Sequence, residues 1–192
     1  MAYSFFAFIS RMRYISRWGL MRNTEQENIQ EHSHMVAVLA HALAVIRRDV
    51  FHQSADPEGA AAAALYHDAP EIFTGDLPTP VKYYNPEIRT AYREVEAVSA
   101  QKLLAMLPEA LRPAYDRLLR EEYGEDVRAL VKAADKLSAH IKCLEELKAG
   151  NREFQQAADQ TRAAVEAMGL REVDYFMEHF LPAFGLTLDE LQ

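Results

Sequence analysis

Apolar residues recur every three or four positions along most of this chain, which is the pattern of amphipathic helices. In the segment 34–51 the apolar face consists of Val36, Leu39, Ala40, Leu43 and Ile46. Near the N-terminus a similar face consists of Phe5, Phe8, Ile9, Met12 and Ile15. Alternating valine-rich runs, which are typical of strands, are missing. The pattern therefore predicts an all-α fold, and we expect a single-domain helical bundle over residues 1–192.

Start and stop signals indicate where individual helices begin and end. Asp56 and Asn85 are each followed by a proline, which is typical of a capping residue before a first helical turn. Gly150 is expected to end a long helix that begins near residue 125. The one long irregular stretch is 74–85, "TGDLPTPVKYYN". Because loops next to ionisable residues often carry function, we expect this stretch to contribute to a site.

Composition and charge narrow the class of protein. The chain has 192 residues, of which 49% are hydrophobic, so it can bury one substantial core. Its formal net charge of −8 argues against a nucleic-acid polymer as partner, because such binding relies on clustered cations. A small anionic ligand needs only one or two well-placed cations, so it stays possible.

Two further features bear on the compartment. The single cysteine, Cys143, permits no internal disulfide, which fits a reducing cytoplasm. The apolar N-terminal run stops at Ser10 and arginines follow, so it is too short to cross a bilayer. It also has no basic leader of the kind that signal peptides carry. We therefore expect a cytoplasmic protein that is not associated with a membrane.

Ionisable residues collect at the end of the alanine-rich segment, in "ALYHDAPEIFTGD". His67 and Asp68 are adjacent, about 100° apart on a helix, and at a helix end both can reach one ion. Asp135 lies at the edge of an apolar stripe, where a carboxylate is costly unless it is paired or bound to metal. With His32, at the start of the second helix, these groups form a ligand set with two negative charges. That nitrogen and oxygen set suits Mn, Fe, Co, Ni or Zn.

Other interpretations of these residues remain open at this point. Asp135 could instead pair with Lys132 or Lys136, and His32 could be an ordinary residue at a helix start. The remaining histidines are poorer candidates for a shared ion. His34 lies about 200° around the helix from His32, and His41 stands about 10.5 Å along the axis from His34. We expect these five histidines to lie on the surface or in the core: His34, His41, His52, His140 and His179.

The order His32, His67-Asp68, Asp135 on a helical scaffold resembles the HD-domain metal-dependent phosphohydrolases. Four stretches, "SRWGLM", "QEHS", "YHDAPEIFTGDLPTPVKY" and "KAADKLSA", further resemble the bacterial 5'-deoxynucleotidases of the YfbR type. The resemblance covers nearly the whole chain. It implies one HD domain over 1–192 and a homodimer. It also implies one divalent transition-metal ion, Co, Mn or similar, held by His32, His67, Asp68 and Asp135.

The resemblance implies hydrolysis of deoxyribonucleoside 5'-monophosphates to nucleoside and phosphate. Glu71 would then be the general acid or base, and Arg17 would orient the phosphate and assist catalysis, with Arg13 as its rival. Trp18 would contact the substrate and exclude a 2'-hydroxyl. Asp76 and Thr79 would bind the deoxyribose. The substrate-binding set expected from the resemblance is Arg17, Trp18, His32, Asp68, Asp76, Leu77, Pro78, Thr79 and Asp135.

Two alternatives to this reaction remain. The same centre could act on a deoxynucleoside triphosphate, a cyclic nucleotide or (p)ppGpp, although those substrates would need more cationic residues than surround the motif. The chain could also be a non-catalytic binding module with the same fold. No residue in the sequence is an obvious reader of the base, so we expect broad base tolerance.

Overall fold

The structure is a computed structural model that describes residues 2–82 and 84–191, with all of their side chains except that of Thr79. Its described part is helical, and its only β contact is an isolated antiparallel bridge between Ser16 and Asn28. The helices are α1 Phe5–Ile9, α2 Ile29–Val45, α3 Pro57–Tyr66, α4 Glu71–Thr74, α5 Thr79–Lys82, α6 Pro86–Ala105, α7 Arg112–Leu119, α8 Glu125–Lys148, α9 Gln155–Glu166 and α10 Arg171–His179. The predicted all-α fold is confirmed.

The capping signals act as predicted. Asp56 accepts a hydrogen bond from the Gly59 N–H at the start of α3, and Asn85 accepts one from Ile88 at the start of α6. Asn28 adds a cap that the apolar pattern did not indicate. Its side chain accepts from the first turn of α2, and Glu31 reaches back to the Asn28 N–H to complete a capping box. This cap fixes where α2 begins, three residues before its first imidazole.

The N-terminal prediction of one helix through Ile15 is wrong. α1 ends at Ile9, a 3-10 turn covers Ser10–Tyr14, and Ile15 is extended. The Ser10 hydroxyl donates to the Ala7 carbonyl at 2.8 Å, which competes with continuation of the α-helix. The segment that follows, 16–28, is a non-helical loop closed by the Ser16–Asn28 bridge.

The stretch 74–85 also differs from the expected irregular loop, because it contains the one-turn helix α5. Pro78 lies directly before α5, and its carbonyl accepts from Val81 at 2.8 Å and Lys82 at 3.0 Å. Gly75, at φ 72°, makes the turn after α4 in a region that favours glycine. The turn and the short helix fold the stretch back towards α6.

The main core lies where α2, α3 and α8 pack against one another. Small residues line the contact: Ala40, Ala44, Ala60, Ala63, Ala64, Ala133 and Ala134 are all buried. Without long side chains between them, the helix backbones can approach closely, and larger residues such as Leu43 and Leu137 fill the remaining space. No helix among residues 2–82 and 84–191 is long and apolar enough to cross a membrane.

A buried carboxylate ties the 16–28 loop to α8. Glu146 is 1% exposed and accepts hydrogen bonds from the N–H and hydroxyl of Thr24, at 2.9 and 2.7 Å. It also accepts from Asn151 at 2.8 Å and pairs with Lys142. Burial by itself would raise the pKa of Glu146, but the bonds from Lys142 and Thr24 outweigh it and hold the pKa below its ordinary value.

We expect Glu146→Ala to destabilise the protein, since it leaves the Lys142 ammonium buried without its carboxylate. Losing one partner of a buried ion pair costs about 3–5 kcal/mol, a fall in Tm of roughly 6–20 °C for a chain of this size. Thermal unfolding followed by circular dichroism measures the change. Exposed Glu145→Ala is the matched control, with an expected change within about 0.5 kcal/mol.

The difference in stability between wild type and Glu146→Ala should also depend on pH. A carboxylate whose folded pKa is depressed stabilises the protein above its unfolded pKa, which is ~4.3 for glutamate. The advantage of wild type over Glu146→Ala should therefore be complete near neutrality and shrink as pH falls below that value. An equal difference in Tm at pH 7 and at low pH would show that the ionised Glu146 carboxylate is not the source of the stabilisation.

Candidate active site

Three of the predicted metal ligands converge at the meeting point of the core helices. One ligand atom from each of His32, His67 and Asp135 lies within 4.8 Å of the others. His32 is on the first turn of α2, His67 follows the last residue of α3, and Asp135 lies midway along α8. The helices that build the core thus also bring these side chains together.

The His67 ring is oriented as a metal ligand requires. Its Nδ1 lies 2.6 Å from the Ala64 carbonyl, and because a carbonyl can only accept, Nδ1 carries the proton. Nε2 is then a lone-pair donor to an ion. This buried atom has no hydrogen-bond partner among the described residues, which is costly unless a cation meets it. The residues therefore fit a metal ion.

His32 is fully buried between two polar partners. Its Nδ1 lies 3.2 Å from the Ser138 hydroxyl, and its Nε2 lies 3.0 Å from Asp135 Oδ1. When Nδ1 donates to Ser138, the Nε2 lone pair faces a carboxylate oxygen, and two acceptors at this distance repel unless a cation lies between them. Asp135 makes this contact rather than an ion pair with Lys132 or Lys136, among the residues that the structure describes.

Asp68, the fourth predicted ligand, stands at the edge of this group. Its Oδ2 lies 3.3 Å from His67 Nε2 and 3.6 Å from His32 Nε2, and also 3.4 Å from Arg17 Nη1. Ligand atoms about 2.0–2.2 Å from an ion lie about 3 Å apart when they bind at right angles. The distances from Asp68 to the two imidazoles suit such an arrangement, and its role as a ligand stays a prediction.

Glu71 is buried beside the three-residue group, although not as a continuation of α3. That helix ends at Tyr66, residues 67–70 form a turn, and Pro70 begins the next element at φ −58°, its ordinary value. The tight turn bonds the Glu71 N–H to the Asp68 carbonyl at 3.0 Å. A proline-containing turn, and not a continuation of α3, therefore places Glu71 beside Asp68.

The environment of Glu71 favours a protonated carboxyl. Burial raises its pKa to about 9, and the nearby carboxylates of Asp68 and Asp76 act in the same direction. Oε1 lies 3.7 Å from Lys82 Nζ, whereas buried Oε2 has no hydrogen-bond partner in the described part of the chain. A proton on Oε2 would satisfy that atom as a donor to a ligand.

The 16–28 loop carries Arg17 and Trp18 to the same place. The Arg17 side chain is only 13% exposed and donates from Nε to Glu27 at 3.0 Å, with Nη1 directed at Asp68. Trp18 donates from its indole nitrogen to the same Glu27 oxygen at 2.9 Å and packs on Phe154. Arg13, the alternative to Arg17 as phosphate partner, is exposed and donates from Nε to the Ser10 carbonyl.

Sequence reasoning missed Glu27, which no periodicity or motif singles out. It lies in the polar connection between the first two helices, among other acidic and amide residues. Its proximity to Arg17 depends on closure of the loop, in which the Arg17 N–H donates to the Glu27 carbonyl at 2.9 Å. Arg17 and Glu27 are ten positions apart in an irregular segment, so no local sequence pattern indicates that they meet.

The predicted sugar-binding residues follow α4. Asp76 is half-buried, and its pKa lies above the ordinary value because burial is the largest effect. Arg17 and the backbone N–H of Trp18 act in the opposite direction. Asp76 therefore lies beside the loop that carries Arg17 and Trp18. Leu77 and Pro78 are half-buried in the irregular segment before α5, and the Thr79 side chain lies outside the described residues. Substrate contact by these four residues stays a prediction.

The other five histidines lie outside the ligand group among the described residues. His34, His41, His52 and His179 are exposed. His140 is buried, and its Nδ1 lies 3.0 Å from the Thr161 hydroxyl. Their placement agrees with the expectation of surface or core positions.

Comparison with known proteins assigns the family. The profile described as "5'-deoxynucleotidase YfbR-like" matches residues 4–184. The chain belongs to this family. It is 50% identical to the 5'-deoxynucleotidase of Cronobacter sakazakii over 188 residues, which cover 97% of this chain and 94% of that protein. It is also 50% identical to the 5'-deoxynucleotidase YfbR of Escherichia coli K12, with the same 97% and 94% coverage.

Solved structures share the fold of this YfbR-like chain. An HD-domain phosphohydrolase from Listeria innocua superposes with a TM-score of 0.80 at 24% identity, covering 94% of this chain and 88% of that one. The cyanophage S-2L HD phosphohydrolase DatZ, described as bound to dA and one catalytic Zn²⁺ ion, superposes with a TM-score of 0.65. That pair is 21% identical, with 92% and 95% of the chains covered. The fold is that of the HD-domain phosphohydrolases.

We expect His67→Ala to lower the affinity for Co²⁺ by at least about 100-fold, because it removes an imidazole nitrogen whose lone pair is already available to an ion. Equilibrium dialysis of metal-stripped protein, with bound metal measured by mass spectrometry, tests this without any substrate. His41→Ala, on the exposed side of α2, is the matched control and should bind like wild type. Unchanged affinity in His67→Ala would contradict the metal site.

Proposed function

We propose that this YfbR-like protein hydrolyses deoxyribonucleoside 5'-monophosphates to a deoxyribonucleoside and phosphate, selects against ribonucleotides and tolerates different bases. The observation that carries the proposal is the grouping of His32, His67 and Asp135 next to a guanidinium and a buried carboxyl. Those are the groups that a phosphate monoester needs: a cation site, an anion-binding side chain and a proton donor. Relatives that are 50% identical bear the name of this activity.

The cofactor in this proposal is one divalent transition-metal ion, Co, Mn or similar, held by His32, His67, Asp68 and Asp135. Two imidazoles and two carboxylates neutralise a divalent charge and suit such ions. When bound, the ion supplies Lewis-acid polarisation of the phosphate and activation of a water molecule. Asp135 is 42% exposed at its side chain, so the group opens to a ligand on that side.

Arg17 binds and orients the phosphate in this proposal. Its Nε is occupied by Glu27, which leaves the Nη side directed at Asp68 and the ligand group. A guanidinium held in this way can donate charge-assisted hydrogen bonds to phosphate oxygens. It would keep the phosphorus in line for attack by water and offset the negative charge that develops on the phosphoryl oxygens.

Glu71 acts as the general acid. As water attacks phosphorus, the bond from phosphorus to the 5'-oxygen breaks, and the leaving oxygen takes the proton from Glu71 Oε2. A pKa raised to about 9 keeps that proton in place at neutral pH, so the carboxyl can donate it to the leaving oxygen. Of the two protons of the attacking water, one stays on the new phosphate hydroxyl and the other returns to the Glu71 carboxylate as phosphate and nucleoside leave.

Selectivity for deoxyribose rests on Trp18 in this proposal. The ring is held by its indole nitrogen and by Phe154, so it cannot easily move aside for a larger sugar. A 2'-hydroxyl pressed against it loses water without gaining a partner, at a cost on the order of a few kcal/mol. Asp76 and Thr79 would bind the 3'-hydroxyl, and Leu77 and Pro78 would complete the sugar pocket.

The remaining parts of the proposal concern the whole chain. We propose that residues 1–192 act as one HD domain, that two copies form a homodimer, and that the protein works in the cytoplasm. The family match over residues 4–184 supports the first, the homodimer rests on the resemblance alone, and the single cysteine is compatible with the third. A nucleic-acid polymer is not an expected partner, given the net charge of −8. A membrane is not an expected partner either, because the apolar run before Ser10 is too short to cross a bilayer.

A phosphate-release panel tests the proposed reaction. We expect release from all four deoxyribonucleoside 5'-monophosphates, with at least about ten-fold lower kcat/KM for each ribonucleotide. Metal-stripped protein should be inactive and should regain activity with Co²⁺ or Mn²⁺. The protein is assayed with each nucleotide and with Co, Mn, Mg, Zn and Ni in turn. Hydrolysis of triphosphates or cyclic nucleotides alone, or no release with any ion, would refute the proposal.

We expect Glu71→Gln to lower kcat by about 10²–10⁴-fold while KM and bound metal stay near wild type, because the amide has the shape of the carboxyl but cannot donate an acidic proton. Steady-state kinetics and metal analysis measure these quantities. Exposed Glu94→Gln on α6 is the control and should behave like wild type.

The pH profile separates this role from a structural one. A general acid must be protonated, so wild-type kcat/KM should fall as pH rises through the pKa of Glu71. The residual activity of Glu71→Gln should lack that alkaline decline. A Glu71→Gln variant with wild-type turnover, or with the same alkaline decline, would remove Glu71 from the proton transfer.

A further inference from the structure

One carboxylate oxygen holds two side chains of the proposed substrate pocket at once. Glu27 Oε2 accepts from Arg17 Nε at 3.0 Å and from the Trp18 indole nitrogen at 2.9 Å. The Glu27 side chain is only 15% exposed, so both bonds are shielded from water and stronger than they would be at the surface. Bonds to an ionised acceptor are roughly twice as strong as neutral ones.

The backbone keeps Glu27 opposite the two residues that it holds. The Arg17 N–H donates to the Glu27 carbonyl at 2.9 Å, and the isolated bridge joins Ser16 to Asn28. Trp18 lies at φ 58°, in the left-handed region that a bulky residue seldom adopts. Such a conformation persists only when the surroundings hold it, and the bonds to Glu27 are part of what holds it here.

The second oxygen of Glu27 points towards the metal-ligand group. Oε1 lies 4.0 Å from His32 Nδ1, the atom that also faces the Ser138 hydroxyl. Glu27 therefore lies between the loop and the group of His32, His67 and Asp135.

We propose that Glu27 is a positioning residue that aims the Arg17 guanidinium at the phosphate and fixes the Trp18 ring against the sugar. This rests on the proposed function. Because one oxygen serves both side chains, phosphate binding and discrimination against the 2'-hydroxyl are coupled, and loss of Glu27 weakens both together. A residue that merely stabilised the loop would change stability without changing the choice of sugar.

Trp18 is the only tryptophan in the chain, so its fluorescence reports on this contact without any substrate. The experiment compares collisional quenching by acrylamide in wild type, Glu27→Ala and Glu27→Gln. We expect the quenching constant to rise at least two-fold in Glu27→Ala and less in Glu27→Gln, which keeps a neutral acceptor oxygen. Exposed Glu25→Ala, on the same loop, is the matched control and should match wild type.

Kinetics of the same metal-loaded variants give the second readout. We expect Glu27→Ala to raise both KM for dAMP and the inhibition constant of inorganic phosphate at least ten-fold, and to lower the dAMP-over-AMP ratio of kcat/KM at least three-fold. Glu27→Gln should recover part of both losses. In an Arg17→Ala background, Glu27→Ala should change the inhibition constant of phosphate by less than two-fold, since the guanidinium it aims is gone.

The outcomes separate this inference from the proposed function. If folded Glu27→Ala and Glu27→Gln, checked by circular dichroism, keep wild-type quenching and the wild-type sugar ratio, the positioning role is refuted. If wild type releases no phosphate from any deoxynucleotide, the proposed function fails, and the quenching data alone decide whether Glu27 fixes Trp18. Raised quenching in Glu27→Ala, beside normal quenching in Glu25→Ala, supports the role in either case.

Discussion

The whole site depends on the close packing of α2, α3 and α8. Alanines line that contact, and it is tight enough to bring His32 Nε2 within 3.0 Å of Asp135 Oδ1. Lone pairs and carboxylates at that distance repel in a buried setting unless a cation or proton is shared between them. Apolar packing therefore brings together groups that need a proton or a cation between them, and a bound divalent ion would meet that need.

The second requirement is to hold an irregular loop over this centre. Residues 16–28 have no helix of their own, and two carboxylates contribute to holding them in place. Glu146 binds the loop backbone from α8, and Glu27 binds the side chains of Arg17 and Trp18 within the loop. Buried carboxylates with several donors suit this purpose, because each donor removed would leave a charge without compensation. Stability and positioning thus come from the same kind of contact.

A proline-containing turn, residues 67–70, places the other side chains of the centre. α3 ends at Tyr66, so His67 and Asp68 project from a turn, and Glu71 is carried back towards them by the next short helix. The absent N–H of Pro70 excludes one further helical hydrogen bond, and its fixed φ suits the start of α4. Burial of Glu71 beside Asp68 and Asp76 then raises its pKa. Burial is the largest cause, and it depends on the folded structure.

The sequence alone determined the helical class, the caps at Asp56 and Asn85, and a candidate ligand set, because these depend on local periodicity, local hydrogen bonds and residue chemistry. Family resemblance supplied the expected reaction. Tertiary structure decided what depends on contacts between distant segments. These are the contact of Arg17 with Asp68, and the bonds from Arg17 and Trp18 to Glu27. Loop closure leaves no periodic signal, since its bonds join residues whose separation no helix or strand sets. Candidate ligands could be named from the sequence, whereas the contacts that hold the 16–28 loop beside them could be found only in the folded chain.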